Sequence, residues 1–213
     1  MKTRTARLAL VAMLALAGAG CGPVTLPDSP SAPASGAGGG GDAAKQLSRL
    51  TVASSGSMRG YSRDRFPHWR STGRNCDVRD SVLKRDGKEV KLSGCNVVGG
   101  RWTSPYDGRS FSDPKDMDID HMVPLANAWR SGAVSWTDDK RGDFANDLTR
   151  PQLAAVSLTS NRAKGDQDPS QWKPPNRDYW CRYAQDWITV KSYWKLTVTS
   201  AEKAALTDML RTC

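Results

Sequence analysis

The stretch "DMDIDHMVPLANAW", residues 116–129, decides how we interpret the fold of this chain. Acidic and apolar residues alternate at its start, which predicts a half-buried strand with Met117 and Ile119 facing inward. Pro124 ends the strand, and the residues after it predict a short helix. The stretch also contains His121, one of only two histidines in a chain whose formal net charge is +9.

The first twenty residues have the order of a secretory signal peptide: basic residues, an apolar run from Leu8 to Leu16, and small residues before Cys21. The apolar run is too short to span a membrane, which takes roughly 20 residues. Two cleavage sites are compatible with this segment, because Cys21 resembles the lipidated cysteine of a bacterial lipobox whereas Ala17 and Ala19 fit an A-x-A site. We favour lipidation, since five cysteines leave one unpaired and Cys21 lies outside the predicted domain. The protein is then exported, either to the outer face of the cell membrane or into the medium.

Residues 21–44 are rich in Pro, Ser, Gly and Ala, which predicts a flexible linker. Residues 45–213 have a length that suits one domain with a single core. Removing residues 1–20 takes away three basic residues and no acidic one, so the net charge falls to +6. This basic excess is consistent with a polyanionic partner, such as nucleic acid or an anionic envelope polymer, and equally with solubility alone.

Four cysteines remain in the predicted domain, and an exported protein meets oxidising conditions. Of the three possible pairings we favour Cys76 with Cys95, which closes a local loop, and Cys181 with Cys213, which ties two C-terminal helices together. Structural zinc is the rival interpretation, but no C-x-x-C motif occurs and only two histidines are available. The sequence therefore predicts a fold stabilised by disulfides.

The rest of the predicted domain mixes helical and strand patterns. Residues 76–87 predict a helix, and β-prone segments around "PYDG", residues 105–108, predict a hairpin. Aromatic and apolar residues recur every three or four positions from Asp178 to Trp194, which predicts an amphipathic helix. Thr199 and Glu202 have the spacing of a capping box before a last helix. Together these patterns predict an α+β fold.

Asp120 and His121 are the first candidate site residues. Successive side chains of a regular strand point to opposite faces, so the chain is expected to leave strand geometry near His121 if both serve one site. Such a pair can supply a ligand for Mg²⁺, Mn²⁺ or Ca²⁺ and a general base. Asn146, Asn161 and Lys164 then supply a polar loop residue, a second metal ligand and a phosphate-binding cation. Asn161 fits a helix N-cap equally well.

The sequence "DIDHMVPLANAW", followed by "FAND" and "NRAKGDQDPSQW", resembles the HNH, or His-Me finger, nuclease superfamily. In particular it is similar to secreted actinobacterial HNH endonuclease family proteins related to the C-terminal domain of GmrSD restriction enzymes. The similarity extends upstream through "YSRDRF", "CDVRDSVLKRD" and "SPYDG", so it covers residues 60–213. The D-H-x-x-P-L element is moderately specific alone, and it is strongly specific when N-R-x-K-G-D follows about forty residues later.

This resemblance implies a ββα-metal core with added helices, in which two strands and a helix enclose one divalent cation. It implies that His121 is the general base, Asp120 the metal ligand on the strand and Asn161 the metal ligand on the helix. The implied cation is Mg²⁺ or Mn²⁺, with Ca²⁺ and Zn²⁺ as alternatives. The middle residue of the motif, which steadies the loop that holds the histidine, is Asn146 or alternatively Gln152.

The implied activity is the hydrolysis of phosphodiester bonds in DNA, with RNA as an alternative substrate, by an enzyme that we expect to be a monomer. Arg162 and Lys164 are the candidate phosphate-binding residues, and we expect little sequence specificity because backbone contacts carry no sequence information. Asp118 is either a further carboxylate near the metal or an exposed strand residue. His68 is interpreted as a packing residue. The alternative function is a non-catalytic envelope lipoprotein that binds polyanions.

Overall fold

The computed structural model describes residues 39–213. The predicted signal peptide and Cys21 lie outside these residues, and so does most of the predicted linker. Helix α1, Gly39–Ser48, begins within the segment predicted as linker, so residues 39–44 belong to a helix instead. The reason is a short apolar face, since Ala43 and Leu47 lie four residues apart and are both buried in the core. Between residues 39 and 213 no helix is long and apolar enough to cross a membrane.

Two small antiparallel sheets and helix α2 lie between residues 71 and 111. The elements are β1 Ser71–Gly73, β2 Cys76–Asp77, α2 Val78–Asp86, β3 Lys88–Ser93, β4 Asn96–Thr103 and β5 Ser110–Phe111. β1 pairs with β2, while β3, β4 and β5 form one sheet. The predicted helix is confirmed and begins with a capping box between Asp77 and Asp80. The predicted hairpin around residues 105–108 and the disulfide between Cys76 and Cys95 are also confirmed.

Two antiparallel strands and a helix form the centre of the molecule. Strand β6, Met117–His121, pairs with β7, Leu153–Ser157, and helix α5, Leu158–Lys164, follows β7 directly. The hydroxyl of Ser157 caps α5 by accepting a hydrogen bond from the Ser160 N–H. The α+β class is therefore confirmed, whereas the ββα-metal core stays a prediction.

Strand β6 is regular along its whole length. Met117 and Ile119 are buried in an apolar cluster with α2, as predicted. The pairing with β7 includes His121, which is the last residue of β6, so the chain leaves strand geometry directly after this residue, as expected. Asp118 and Asp120 therefore lie on one face of β6 and His121 on the other. Both faces are covered, since Asp120 is 4% and His121 5% exposed.

The remaining helices pack around a larger apolar core. They are α3 Leu125–Arg130, α4 Asp138–Ala145, α6 Trp180–Trp194 and α7 Ser200–Leu210. Helices α1 and α7 both pack against α6, whose apolar face includes the fully buried Trp187. The capping box of Thr199 and Glu202 is confirmed, and so is the disulfide between Cys181 and Cys213. Strand β7 contributes to both apolar clusters, since Leu153 and Ala155 pack with Met117 and Ile119 while Val156 belongs to the larger core.

Candidate active site

A polar pocket of about 250 Å³ lies beside the end of β6. Its walls include Asp120, His121 and Asn161, together with Arg63 and Asp166. The residues predicted as general base and metal ligands therefore line one pocket, although Asp120 and His121 leave the strand on opposite faces.

His121 is held on several sides by the surrounding protein. Its Nε2 lies 2.9 Å from the carbonyl oxygen of Ala145 at the end of α4. Because a carbonyl oxygen only accepts, Nε2 carries the ring proton and Nδ1 carries the lone pair. Nδ1 makes no hydrogen bond to the described part of the chain. The ring stacks on Trp69 with centroids 5.6 Å apart, and the ring of His68 meets it edge-on at 6.1 Å.

The surroundings of His121 keep its imidazole neutral. Burial lowers the pKa of His121 to about 3, and the positive charges of Arg63 and Lys164 act in the same direction. The hydrogen bond to Ala145 opposes this shift of the pKa. The ring is thus in the form that accepts a proton at physiological pH.

The segment that covers His121 has an unusual backbone conformation at Trp69, whose φ is 56°. Bulky residues rarely adopt this left-handed region. Asn146 holds the conformation from both sides, since its amide oxygen accepts the N–H of Arg70 at 2.9 Å and its amide nitrogen donates to Pro67 at 2.8 Å. Asn146 has no hydrogen bond to His121 in the described structure and acts on it through Trp69.

Gln152 holds the loop that follows His121. It is fully buried, its amide oxygen accepts the N–H of Val123 at 3.1 Å, and its amide nitrogen donates to the Val123 carbonyl at 2.9 Å. These two bonds fix the backbone just after the histidine. Of the two candidates for the middle motif residue, Gln152 therefore steadies the loop, whereas Asn146 positions the segment that covers the ring.

Asp120 is anchored through one carboxylate oxygen. Its Oδ2 accepts the hydroxyl of Tyr106 at 2.5 Å and the ammonium group of Lys164 at 2.6 Å. Burial raises the pKa of Asp120, and Lys164 and Tyr106 act against this rise. Its Oδ1 accepts no hydrogen bond from residues 39–213. Since buried polar atoms are nearly always bonded, Oδ1 is the oxygen available to a ligand in the pocket.

Lys164 does not lie where a phosphate could reach it, so its predicted role as a phosphate-binding cation is wrong. Its side chain is fully buried, and its ammonium group also donates to the carbonyl oxygen of His121 at 2.8 Å. The cause is its position on α5, three residues after Asn161, which places both side chains on the face towards β6. Arg162 points elsewhere and is exposed, so it stays a candidate for phosphate binding.

Asn161 lies beside Asp118 rather than at the start of its helix. Its amide nitrogen donates to Oδ2 of Asp118 at 3.1 Å, and Ser157 is the residue that caps α5. The N-cap alternative is therefore wrong. Asp118 is only partly exposed, and it turns the amide so that the oxygen of Asn161 is left free of hydrogen bonds within the described structure.

The free oxygens of Asp120 and Asn161 fit a hard divalent cation. Mg²⁺ is commonly held by one or two protein oxygens, while water and phosphate oxygens complete its coordination. This donor set suits Mg²⁺ or Mn²⁺ better than Zn²⁺, which prefers nitrogen and sulfur. No group of three or more His, Cys, Asp or Glu side chains is arranged to hold a metal within residues 39–213.

Three residues of this site are not apparent from the sequence. The "PYDG" motif indicates a turn and does not reveal that Tyr106 reaches Asp120. His68 packs against Trp69 and His121, as predicted, and the sequence does not reveal that its ring nitrogens also bond Arg63 and Phe66. The available signal is the scarcity of histidine, because the rings of both histidines of the chain lie side by side, with centroids 6.1 Å apart. Trp69 gives no such signal, because a positive φ depends on tertiary contacts.

Comparison with known proteins places this site in a family. The family model of the C-terminal domain of GmrSD restriction endonucleases matches residues 75–209. A protein of the fungus Arthroderma benhamiae, described as an uncharacterized secreted protein, is 53% identical over 190 residues, which are 89% of each chain. This fungal relative gives no support to the predicted actinobacterial type. No solved structure matches the chain. Because the match covers more than half of the sequence, the chain belongs to the family of the C-terminal domain of GmrSD restriction endonucleases.

Proposed function

We propose that this protein is an exported, metal-dependent endonuclease that hydrolyses phosphodiester bonds of DNA, and of RNA as a further substrate, with little sequence specificity. The observation that carries the proposal is the convergence of His121, Asp120 and Asn161 on one pocket in a chain of this family. The basic balance of the chain supports a polyanionic substrate. The signal sequence and the secreted relative support export.

In this mechanism His121 deprotonates the water that attacks phosphorus. Ala145 holds the Nε2 proton, so the Nδ1 lone pair accepts the proton of the water. General-base catalysis of this kind is worth roughly 10²- to 10⁴-fold in rate. Trp69 keeps bulk water from one face of the ring, which favours the neutral base.

Asp120 and Asn161 are the residues that would hold the divalent cation. When bound, such a cation offsets the negative charge that develops on the phosphate and on the leaving oxygen. Lys164 and Tyr106 fix the carboxylate of Asp120 so that its Oδ1 points to the pocket without reorganisation.

The test uses the mature exported chain, a supercoiled plasmid and Mg²⁺ or Mn²⁺. We expect cleavage that EDTA abolishes and that His121→Ala lowers at least about 10²-fold. Thermal unfolding shows whether the variant is folded. Equal cleavage by both proteins would remove the assigned role of His121. Salt-sensitive DNA binding without cleavage in any metal would favour the non-catalytic alternative.

A further inference from the structure

The geometry points to Arg63 as the residue that binds the scissile phosphate, with His68 as its positioning residue. This role rests on the proposed function, and it names the group that would hold the substrate in the same pocket. Both residues precede residues 75–209, the segment that the family model matches.

Arg63 has the right location for a phosphate ligand. It lines the pocket together with Asp120, His121 and Asn161. Its side chain is exposed, so the guanidinium group is accessible to a polymer that enters from solvent. The pocket also contains the carboxylates of Asp120 and Asp166, and an anionic substrate therefore needs a compensating positive charge there.

His68 orients the guanidinium group of Arg63. Its Nδ1 lies 2.6 Å from the carbonyl oxygen of Phe66, so Nδ1 carries the proton and Nε2 is the acceptor. The Nε–H of Arg63 donates to this Nε2 at 3.2 Å. The bond fixes the guanidinium through Nε, and both Nη groups have no partner among residues 39–213. Two free terminal nitrogens match two oxygens of a phosphate.

Other cations near the pocket are used within the protein. Arg130 donates to the carboxylate of Asp166 at 2.8 Å and to its carbonyl oxygen at 2.9 Å. Lys164 is buried against Asp120. Arg162 is exposed on α5 but does not line the pocket. Within the described ranges, Arg63 is thus the pocket cation whose terminal nitrogens are free to bind an anion.

The first experiment compares Arg63→Ala and Arg63→Lys with Arg49→Ala, in the mature chain with Mg²⁺. Arg49 is exposed, makes no side-chain hydrogen bond in the described structure and does not line the pocket. Arg49→Ala therefore removes the same charge as Arg63→Ala but leaves the pocket unchanged. We expect Arg63→Ala to lower kcat about 10²-fold, as for the loss of a donor to a developing oxyanion. Lysine should restore only part of this loss, because it lacks the planar fork. Arg49→Ala should stay within about twofold of wild type.

The second experiment measures whether His68 acts through Arg63. We expect His68→Ala to lower kcat about tenfold, and His68→Gln to recover most of this, because the glutamine amide oxygen can accept the Nε–H of Arg63. In the Arg63→Ala background, His68→Ala should have little further effect. Independent losses in the double variant would overturn the positioning role.

Binding of a duplex oligonucleotide in EDTA separates this inference from the proposed function. We expect Arg63→Ala to weaken binding several-fold more than Arg49→Ala. If wild type binds the duplex but cleaves nothing, the proposed function fails and this comparison still decides the role of Arg63. Equal effects of Arg63→Ala and Arg49→Ala in both assays would overturn the role of Arg63. A wild-type chain that neither binds nor cleaves would overturn both.

Discussion

Two buried lysine–carboxylate pairs lie near the same tryptophan. They differ in how many oxygens of the carboxylate accept hydrogen bonds. The ammonium nitrogens of Lys164 and Lys191 are each 5.8 Å from the ring centroid of Trp187. Lys164 pairs with Asp120 at 2.6 Å, and Lys191 pairs with Glu202 at 3.1 Å. No side chain of the two pairs is more than 5% exposed.

The two carboxylates are bonded to different extents. Oε1 of Glu202 accepts the indole N–H of Trp187 at 2.6 Å, and Oε2 accepts the N–H of Thr199 at 3.4 Å. Asp120 instead receives both of its partners on Oδ2, so Oδ1 is left for the pocket. The Glu202 pair thus ties α6 to the start of α7, while the Asp120 pair holds a carboxylate ready for a ligand. A buried pair alone is no evidence of a site, whereas an unbonded oxygen beside a pocket is.

The largest expected effect is a loss of unfolding free energy. The loss should be similar for the two pairs and should differ between them only when a divalent cation is present. Lys164→Met and Lys191→Met each leave a buried carboxylate unpaired, which costs about 3 to 5 kcal/mol of unfolding free energy. Mg²⁺ at several times its Kd should return about 1 kcal/mol to Lys164→Met, because a cation can bind Asp120. Urea unfolding with EDTA and with Mg²⁺ measures both quantities. An equal response of Lys191→Met to Mg²⁺ would remove the distinction between the pairs.

The next effect distinguishes the carboxylates by their function. Asp120→Asn should lower kcat about 10²-fold, because it removes the charge of the proposed metal ligand. Glu202→Gln disturbs an equally buried pair but should leave the kcat of the folded protein within about twofold of wild type. Plasmid cleavage at a temperature where thermal unfolding shows both variants folded gives the comparison. If Glu202→Gln lowers kcat as strongly, the loss reflects general loosening of the core.

The sequence predicts those features of the two regions that depend on residue patterns within one segment. The strand at Met117, the capping box at Thr199 and the helix after Asp77 follow from residue spacings, because alternation and capping are local. The motif spacing likewise brings Asp120 and Asn161 together. Both disulfide pairings follow from the proximity of their cysteines along the chain and the elements between them.

The rest depends on contacts between distant segments, which no local pattern encodes. Lys164 looks like a surface cation in the motif, and it is buried only because Asp120 faces α5 across the strand. Tyr106 completes that contact from a hairpin turn. The positive φ of Trp69 is held by the amide of Asn146, the residue that follows α4. Tertiary packing therefore decides which motif residues face substrate and which ones support them.

The smallest effect tests the pH dependence of the two regions. The pKa of His121 in the folded chain, about 3, is below the value of about 6.5 in an unfolded chain. Between these two pKa values the unfolded state binds more protons than the folded state. The contribution of His121 to the free energy of unfolding is therefore fully present above about pH 6.5 and is lost as the pH falls towards about 3. In EDTA we expect the free energy of unfolding to fall by roughly 2 kcal/mol from about pH 6.5 to about pH 4.5 through His121 alone.

His121→Gln should remove this part of the pH dependence, since its amide can still donate to Ala145 but does not titrate. Glu202→Gln changes the other pair, so the free energy of unfolding of this variant should still fall with pH through His121. Urea unfolding at several pH values compares the three proteins. Parallel curves for wild type and His121→Gln would mean that the imidazole is not held neutral under Trp69, and the pocket would then lack a base of the proposed kind. A loss confined to proteins with His121 would instead show that burial at the end of β6 costs acid stability in order to keep that base unprotonated.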